Sequence, residues 1–152
     1  MIKNQRHLAI SVKSLEKGIE FYSALGGSIE SQDLEQGVFI EELLNQPGVI
    51  IKTCKIKFRD GSRIELMEFV SEQQTTKQRN SPGSISQIGY HHVAFTVSDL
   101  ELAVAMVIQF GGKTLGKTLV VTSSHSVHAV KAKHVYMLDP FGNLLHLAED
   151  SN

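Results

Sequence analysis

Residues 6–27, RHLAISVKSLEKGIEFYSALGG, align without a gap to residues 91–112, HHVAFTVSDLELAVAMVIQFGG, at an offset of 85 residues. Seven positions are identical: His7/His92, Ala9/Ala94, Val12/Val97, Leu15/Leu100, Glu16/Glu101, Gly26/Gly111 and Gly27/Gly112. Further on, GSRIELME at 61–68 matches GNLLHLAE at 142–149, now at an offset of 81. A chain that repeats in this way is built from two copies of one supersecondary unit, each too small to be comfortably stable alone.

Each copy begins with alternating apolar residues, continues with a helical pattern and stops at Gly-Gly, which reads as a strand followed by a helix. Ser14 is the expected cap of the first helix. Ser98 with Glu101 has the spacing of a capping box for the second. The strand-like runs Val49–Phe58 and His134–Leu138 precede the turns Asp60-Gly61 and Asp139-Pro140-Phe141-Gly142, and a last strand follows each turn. Each half is therefore expected to be strand, helix and three strands, an α+β class made of two βαβββ modules. Residues 71–88 are polar with Pro82-Gly83 and read as a connector. The expected organisation is one domain of 152 residues, with module one at 1–70, the linker at 71–88 and module two at 89–152.

Side chains alternate between the two faces of a strand. The apolar set Leu8, Ile10 and Val12 is expected on the helix, leaving His7, Ala9 and Ser11 on the other face. His92, Ala94 and Thr96 repeat that arrangement. On the last strands Arg63, Glu65 and Met67 oppose Ile64 and Leu66, while Leu144, His146 and Ala148 oppose Leu145 and Leu147. Four repeat-related strands thus each place one metal-capable side chain on the non-helix face: His7, Glu65, His92 and His146. Three imidazoles and one carboxylate suit a divalent ion such as Zn, Ni, Fe or Mn, with positions left for water or substrate. A lone strand histidine is more often a hydrogen-bonded structural residue. Four equivalent positions obeying one repeat weigh against that alternative.

Other residues carry weaker signals. His91 has the opposite parity to His92 and is expected to point elsewhere. His134 and Tyr136 share a strand face and are expected near the ligands or as ordinary surface residues. His125 and His128 fall in a Ser-rich stretch that reads as a loop. A two-residue hairpin at Asp60-Gly61 would put Cys54, Ile56 and Phe58 on the site face with Met67 and Phe69, giving a largely apolar wall. Arg63 either sits at the rim to meet an anion or is an exposed hairpin arginine. Val38–Leu44 reads as a short helix or loop, with Glu41 and Glu42 as candidate bases.

Composition narrows the function classes. Fifteen Lys+Arg against sixteen Asp+Glu leave a net charge of −1, so no broad basic field invites nucleic acid or an anionic membrane. No apolar run approaches the roughly 20 residues of a membrane span. MIKNQRHLAISV shows no signal-peptide core, and one cysteine, Cys54, forms no internal disulfide, so a cytoplasmic location is expected.

With HLAISV…LEKGIEFYSALGG, DGSRIELMEF, GYHHVAFTVSDLELA and DPFGNLLHLAED, the chain resembles the vicinal oxygen chelate superfamily over nearly its whole length. That superfamily includes glyoxalase I, methylmalonyl-CoA epimerase, fosfomycin-resistance enzymes, extradiol dioxygenases and bleomycin-binding proteins. The resemblance implies a glyoxalase-like cup of two βαβββ modules around one divalent metal, held by His7, Glu65, His92 and His146. It also implies a small-molecule substrate, with the cup closed within one chain or exchanged across a homodimer. The family's last-strand motif usually carries Glu where this chain has His146, which argues against authentic glyoxalase I activity on a glutathione hemithioacetal. The activity implied is a glyoxalase-type lyase or isomerase acting on a small oxygenated carbonyl compound, with Glu65 or His146 doubling as catalytic base. A bleomycin-resistance-like binder without metal is the alternative. An Fe(II) dioxygenase is less favoured, because such relatives usually carry a duplicated set of modules in a longer chain.

Overall fold

The computed structural model describes residues 1, 3–70, 89–121 and 132–150. The chain divides into two compact units, 1–76 and 77–152. The expected linker, 71–88, lies outside the described residues, as do His125 and His128.

In the first unit the order is β1 (Leu8–Ser11), α1 (Leu15–Ala24), β2 (Ser28–Glu35), α2 (Val38–Leu44), β3 (Ile51–Lys57) and β4 (Arg63–Phe69). Its sheet runs β1-β4-β3-β2, with β1 parallel to β4 and the remaining pairs antiparallel. The second unit repeats this plan with β5 (Val93–Thr96), α3 (Leu100–Gln109), β6 (Lys113–Thr114), β7 (Leu119–Val121), β8 (Ala132–Leu138) and β9 (Leu144–Asp150). There the order is β5-β9-β8-β6, and β7 pairs with β8. The α+β reading holds. The second-strand position of the second unit is split into the two short strands β6 and β7, and the first unit carries α2 between β2 and β3.

Burial follows the alternation read from the sequence. Ile10 and Val12 are buried against α1 while Ala9 and Ser11 are exposed. Under α1 the core holds Leu15, Phe21, Tyr22, Cys54, Ile56, Ile64 and Leu66, and under α3 it holds Leu100, Val107, Val135, Met137, Leu145 and Leu147.

Both helices start by the same device. A helix leaves its first backbone N–H groups without internal partners. Ser14 caps α1 by accepting from Lys17 N, and Glu68 of β4 accepts from Leu15 N at 2.6 Å. In the second unit Asp99 Oδ1 accepts from Leu102 N, and Glu149 of β9 accepts from Leu100 N at 2.7 Å. The cap is therefore Asp99, one residue beyond the expected Ser98, and Glu101 pairs with Lys133 instead of closing a capping box. Asp99 is the repeat counterpart of Ser14, and its short carboxylate reaches the orphan N–H groups directly. A lysine stands behind each strand glutamate, Lys52 at 3.8 Å from Glu68 and Lys133 at 3.3 Å from Glu149.

The helices also end alike. Gly26 and Gly111 take φ of +95° and +89°, which ends each helix in the left-handed conformation. Gly27 N and Gly112 N then donate back to Tyr22 O and Val107 O. The second glycine of each pair is needed for space: a Cβ on Gly112 would lie 2.6 Å from Leu138 O and 2.9 Å from Val107 O.

The hairpins correct one expectation. Phe58 N donates to Ser62 O and Gly61 N to Phe58 O, so the loop has three residues, Arg59-Asp60-Gly61, with Gly61 at φ +87°. The same bonds recur between Asp139, Gly142 and Asn143. The register becomes Lys55↔Glu65, Thr53↔Met67 and Cys54↔Leu66. Cys54 and Ile56 therefore belong to the α1 core, and Lys55, Lys57 and Thr53 share the face of Glu65. Of the expected apolar wall only Met67 and Phe69 keep the face of Glu65. They pack on a cluster of Ile40, Val49 and Ile51 beneath α2.

Replacing Gly112 by Ala is expected to cost roughly 2–4 kcal/mol, because two of the three close contacts are backbone oxygens, which cannot swing aside. Gly116→Ala, where a Cβ meets nothing within 4 Å, is the control. Urea unfolding monitored by circular dichroism measures both. By the same measurement Glu68→Ala should lose about 1–2 kcal/mol, from one charge-assisted bond at a helix N-terminus.

Candidate metal centre

The parallel pairing of first and last strands positions the expected ligands, two in each unit. In the first, β1 lies beside β4 with Ala9 opposite Glu65. His7, just ahead of β1 and of the same parity as Ala9, falls beside that carboxylate. His7 Nε2 lies 3.1 Å from Glu65 Oε2, and Lys55 Nζ lies 3.4 Å from Glu65 Oε1. Glu65 is buried at 8% exposure, unusual for a carboxylate outside a paired or ligating role. The buried Nδ1 of His7 meets no hydrogen-bond partner among the described residues.

In the second unit β5 lies beside β9 with Ala94 opposite His146. His92, ahead of β5, places its ring centroid 5.6 Å from that of His146. Tyr136, the cross-strand partner of His146, stacks on its ring at 4.7 Å, and His134 stacks on it at 5.1 Å. His134 Nδ1 and His146 Nε2 are 3.0 Å apart, one donating to the other. His91 does not point away as its parity suggested, because its Nδ1 lies 2.8 Å from His92 Nδ1. With His92 just outside the regular strand, strict alternation no longer separates the two rings.

Burial, with the neighbouring His91, lowers the pKa of His92. Burial, then His134 and His92, lower that of His146. Both imidazoles are thereby held neutral, the form whose lone pair binds a metal.

The structure thus brings His7 to Glu65 and His92 to His146. Lys55 was missed in the sequence reading, which rested on a two-residue loop. Arg63 forms a bidentate pair with Glu30 at 2.6 and 2.7 Å, so its guanidinium is committed to that carboxylate. Glu41 and Glu42 lie on α2. Cys54 is buried, and burial raises its thiol pKa, so it is no nucleophile. Asp99, Glu101 and Glu149 also bring carboxylate oxygens within 4.8 Å of one another. That trio serves the start of α3 and Lys133, as described above.

Two mixed sheets, each with its helix, and paired metal-capable residues at the first and last strands define a glyoxalase-like α+β protein. The chain belongs to the Glyoxalase/Bleomycin resistance protein/Dioxygenase superfamily, whose sequence profile matches residues 6–130. A glyoxalase family protein from Bacillus cereus is similar over 100% of this chain and 99% of its own, at 25% identity and a TM-score of 0.82. One from Enterococcus faecalis covers 97% of this chain and 98% of its own, at 20% identity and a TM-score of 0.64. The fosfomycin resistance protein FosX from Listeria monocytogenes, solved with Mn(II) and sulfate, covers 99% and 95%, at 16% identity and a TM-score of 0.57. The last two likenesses carry the fold alone. Among curated proteins none matches the chain in sequence. Among the described residues no helix is long and apolar enough to cross a membrane.

The lowered histidine pKa values carry a pH dependence. In the unfolded chain these imidazoles take protons as pH falls through about 6.5, while in the folded protein they resist protonation. Their contribution to stability is therefore complete above that pH and is lost as pH falls toward the lower folded values. The metal-free protein should show a lower urea midpoint at pH 5.5 than at pH 8, and His146→Gln should lessen the drop.

Proposed function

We propose that this protein is a divalent-metal-dependent enzyme of glyoxalase type, a lyase or isomerase acting on a small oxygenated carbonyl compound. His7, Glu65, His92 and His146 are its proposed ligands, completed within one chain or between two copies. The observation that carries the reading is the pairing of His7 with buried Glu65. Donor atoms on one ion with bonds of about 2.0–2.2 Å lie roughly 3 Å apart, close to the separation of His7 Nε2 and Glu65 Oε2. The neutral imidazoles of His92 and His146 fit the same donor set.

A divalent ion held there supplies Lewis-acid stabilisation of negative charge on a substrate oxygen. The chain's own residues do the rest. Glu65 or His146 takes the proton next to the substrate carbonyl and returns it at the neighbouring carbon or oxygen. His134, bonded to His146, fixes the orientation and tautomer of that ring. Tyr136 stacks on the same ring and limits its rotation. Because His146 stands where a carboxylate is usual, the donor set carries one negative charge, from Glu65. Cys54 is a free buried thiol, which supports a reducing, cytoplasmic setting.

Metal analysis of protein purified without chelator tests the reading. The expected content is about one equivalent of Zn, Ni, Mn or Fe per site, falling several-fold in His92→Ala while the far-UV circular dichroism is retained. Less than about a tenth of an equivalent, unmoved by adding these ions, Fe(II) anaerobically, would leave a metal-free binding protein.

A further inference from the structure

Lys55 and Glu65 are direct cross-strand partners on one face of the first unit's sheet. The two carboxylate oxygens of Glu65 have different company: Oε2 faces His7 Nε2 at 3.1 Å, and Oε1 faces Lys55 Nζ at 3.4 Å. The lysine contact is longer than the roughly 2.7–2.9 Å of a tight charge-assisted bond. The Lys55 side chain is also 33% exposed against 11% for Glu65, so its ammonium reaches the open side of the face. Lys57 shares that face but stands opposite Arg63, and not opposite Glu65; the remaining cations nearby differ. Arg63 is tied to Glu30 by two short bonds, and Lys52 lies on the helix face with Glu68.

Charge decides what such a lysine does. A divalent ion met by Glu65 and three neutral imidazoles keeps one positive charge uncompensated. Sharing Glu65 with that ion weakens the hold of its carboxylate on Lys55, which adds a second positive charge beside the centre. A neutral carbonyl compound leaves both uncompensated, whereas a carboxylate adjacent to the reacting oxygen answers them.

Building on the proposed metal centre, we propose that Lys55 is a specificity-determining residue that receives a carboxylate, so that the substrates are 2-oxo or 2-hydroxy carboxylates and not neutral carbonyl compounds. The test compares pyruvate with hydroxyacetone, which carries a hydroxymethyl group in place of the carboxylate. Binding to Mn(II)-loaded protein is read from paramagnetic broadening of the ligand methyl protons, with metal content measured in each sample. Wild-type protein should bind pyruvate about tenfold or more tightly than hydroxyacetone, the worth of one charge-assisted contact. Lys55→Met should cut that preference several-fold, the ion's own charge keeping the rest, while retaining Mn(II) and leaving hydroxyacetone binding within roughly twofold, and Lys55→Arg should keep the wild-type preference. An unchanged preference in Mn(II)-loaded Lys55→Met overturns the proposal, as does failure of the loaded wild type to bind pyruvate. Loss of Mn(II) from Lys55→Met alone also overturns it, assigning the lysine to holding Glu65. Failure of wild-type protein to take up any of the metals sinks the metal centre itself and is told apart by the metal analysis.

Discussion

The parallel pairing of each unit's first strand with its last governs everything else in this protein. β1 and β4 are separated in sequence by two helices and two strands, so their pairing closes the unit and carries a substantial loop entropy. A shift of one residue would send His7 or Glu65 to the helix face. The register is held by more than strand hydrogen bonds. Glu68 of β4 reaches over the first strand's exit to accept from Leu15 N, and Glu149 of β9 does the same for Leu100 N. One carboxylate thus completes a helix start and fixes the last strand beside the first. The helix-face contact sets the parity of the opposite face, three residues earlier, where Glu65 and His146 stand.

Burial of Glu65 is affordable only because both of its oxygens have partners. His7 and Lys55 occupy them in the described structure, and neither contact is as short as the bond from Arg63 to Glu30. The second unit solves its electrostatics differently. It gathers His91, His92, His134 and His146 with Tyr136, and mutual proximity together with burial favours neutral rings at His92 and His146. One face therefore offers a carboxylate flanked by a histidine and a lysine, and the other offers uncharged lone pairs.

Much of this was legible in the chain because it was written twice. The strand parities of 7–12 and 92–97, the cap at Ser14, the glycine stops and the common non-helix face of His7, Glu65, His92 and His146 followed from the repeat and period-two alternation. The misreadings arose where one copy was read alone. Asp60-Gly61 looks like a two-residue hairpin, yet its counterpart Asp139–Asn143 has a three-residue loop, and aligning the two would have moved Lys55 onto the face of Glu65. Ser98 looks like a cap until Ser14 is carried forward by 85 residues to Asp99. The long-range bonds of Glu68 and Glu149 had no local signal, since neither local propensity nor spacing reports a contact between residues 53 or 49 positions apart.

The two units agree on one face and differ on the other. On the helix side Glu68 and Glu149, Lys52 and Lys133, and the glycine pairs repeat the same contacts. These groups are fixed by helix-terminus chemistry and close packing, which tolerate few alternatives. On the opposite face, Glu65 stands where His146 does, Lys55 where Tyr136 does and Thr53 where His134 does. Neither the helix caps nor the strand pairing requires those side chains, although the first unit buries two of them, Glu65 and Thr53. The helix caps and glycine stops thus keep one chemistry in both units, while this face does not. A carboxylate with a lysine on one unit, and a histidine cluster on the other, is the difference on which the proposed metal centre rests.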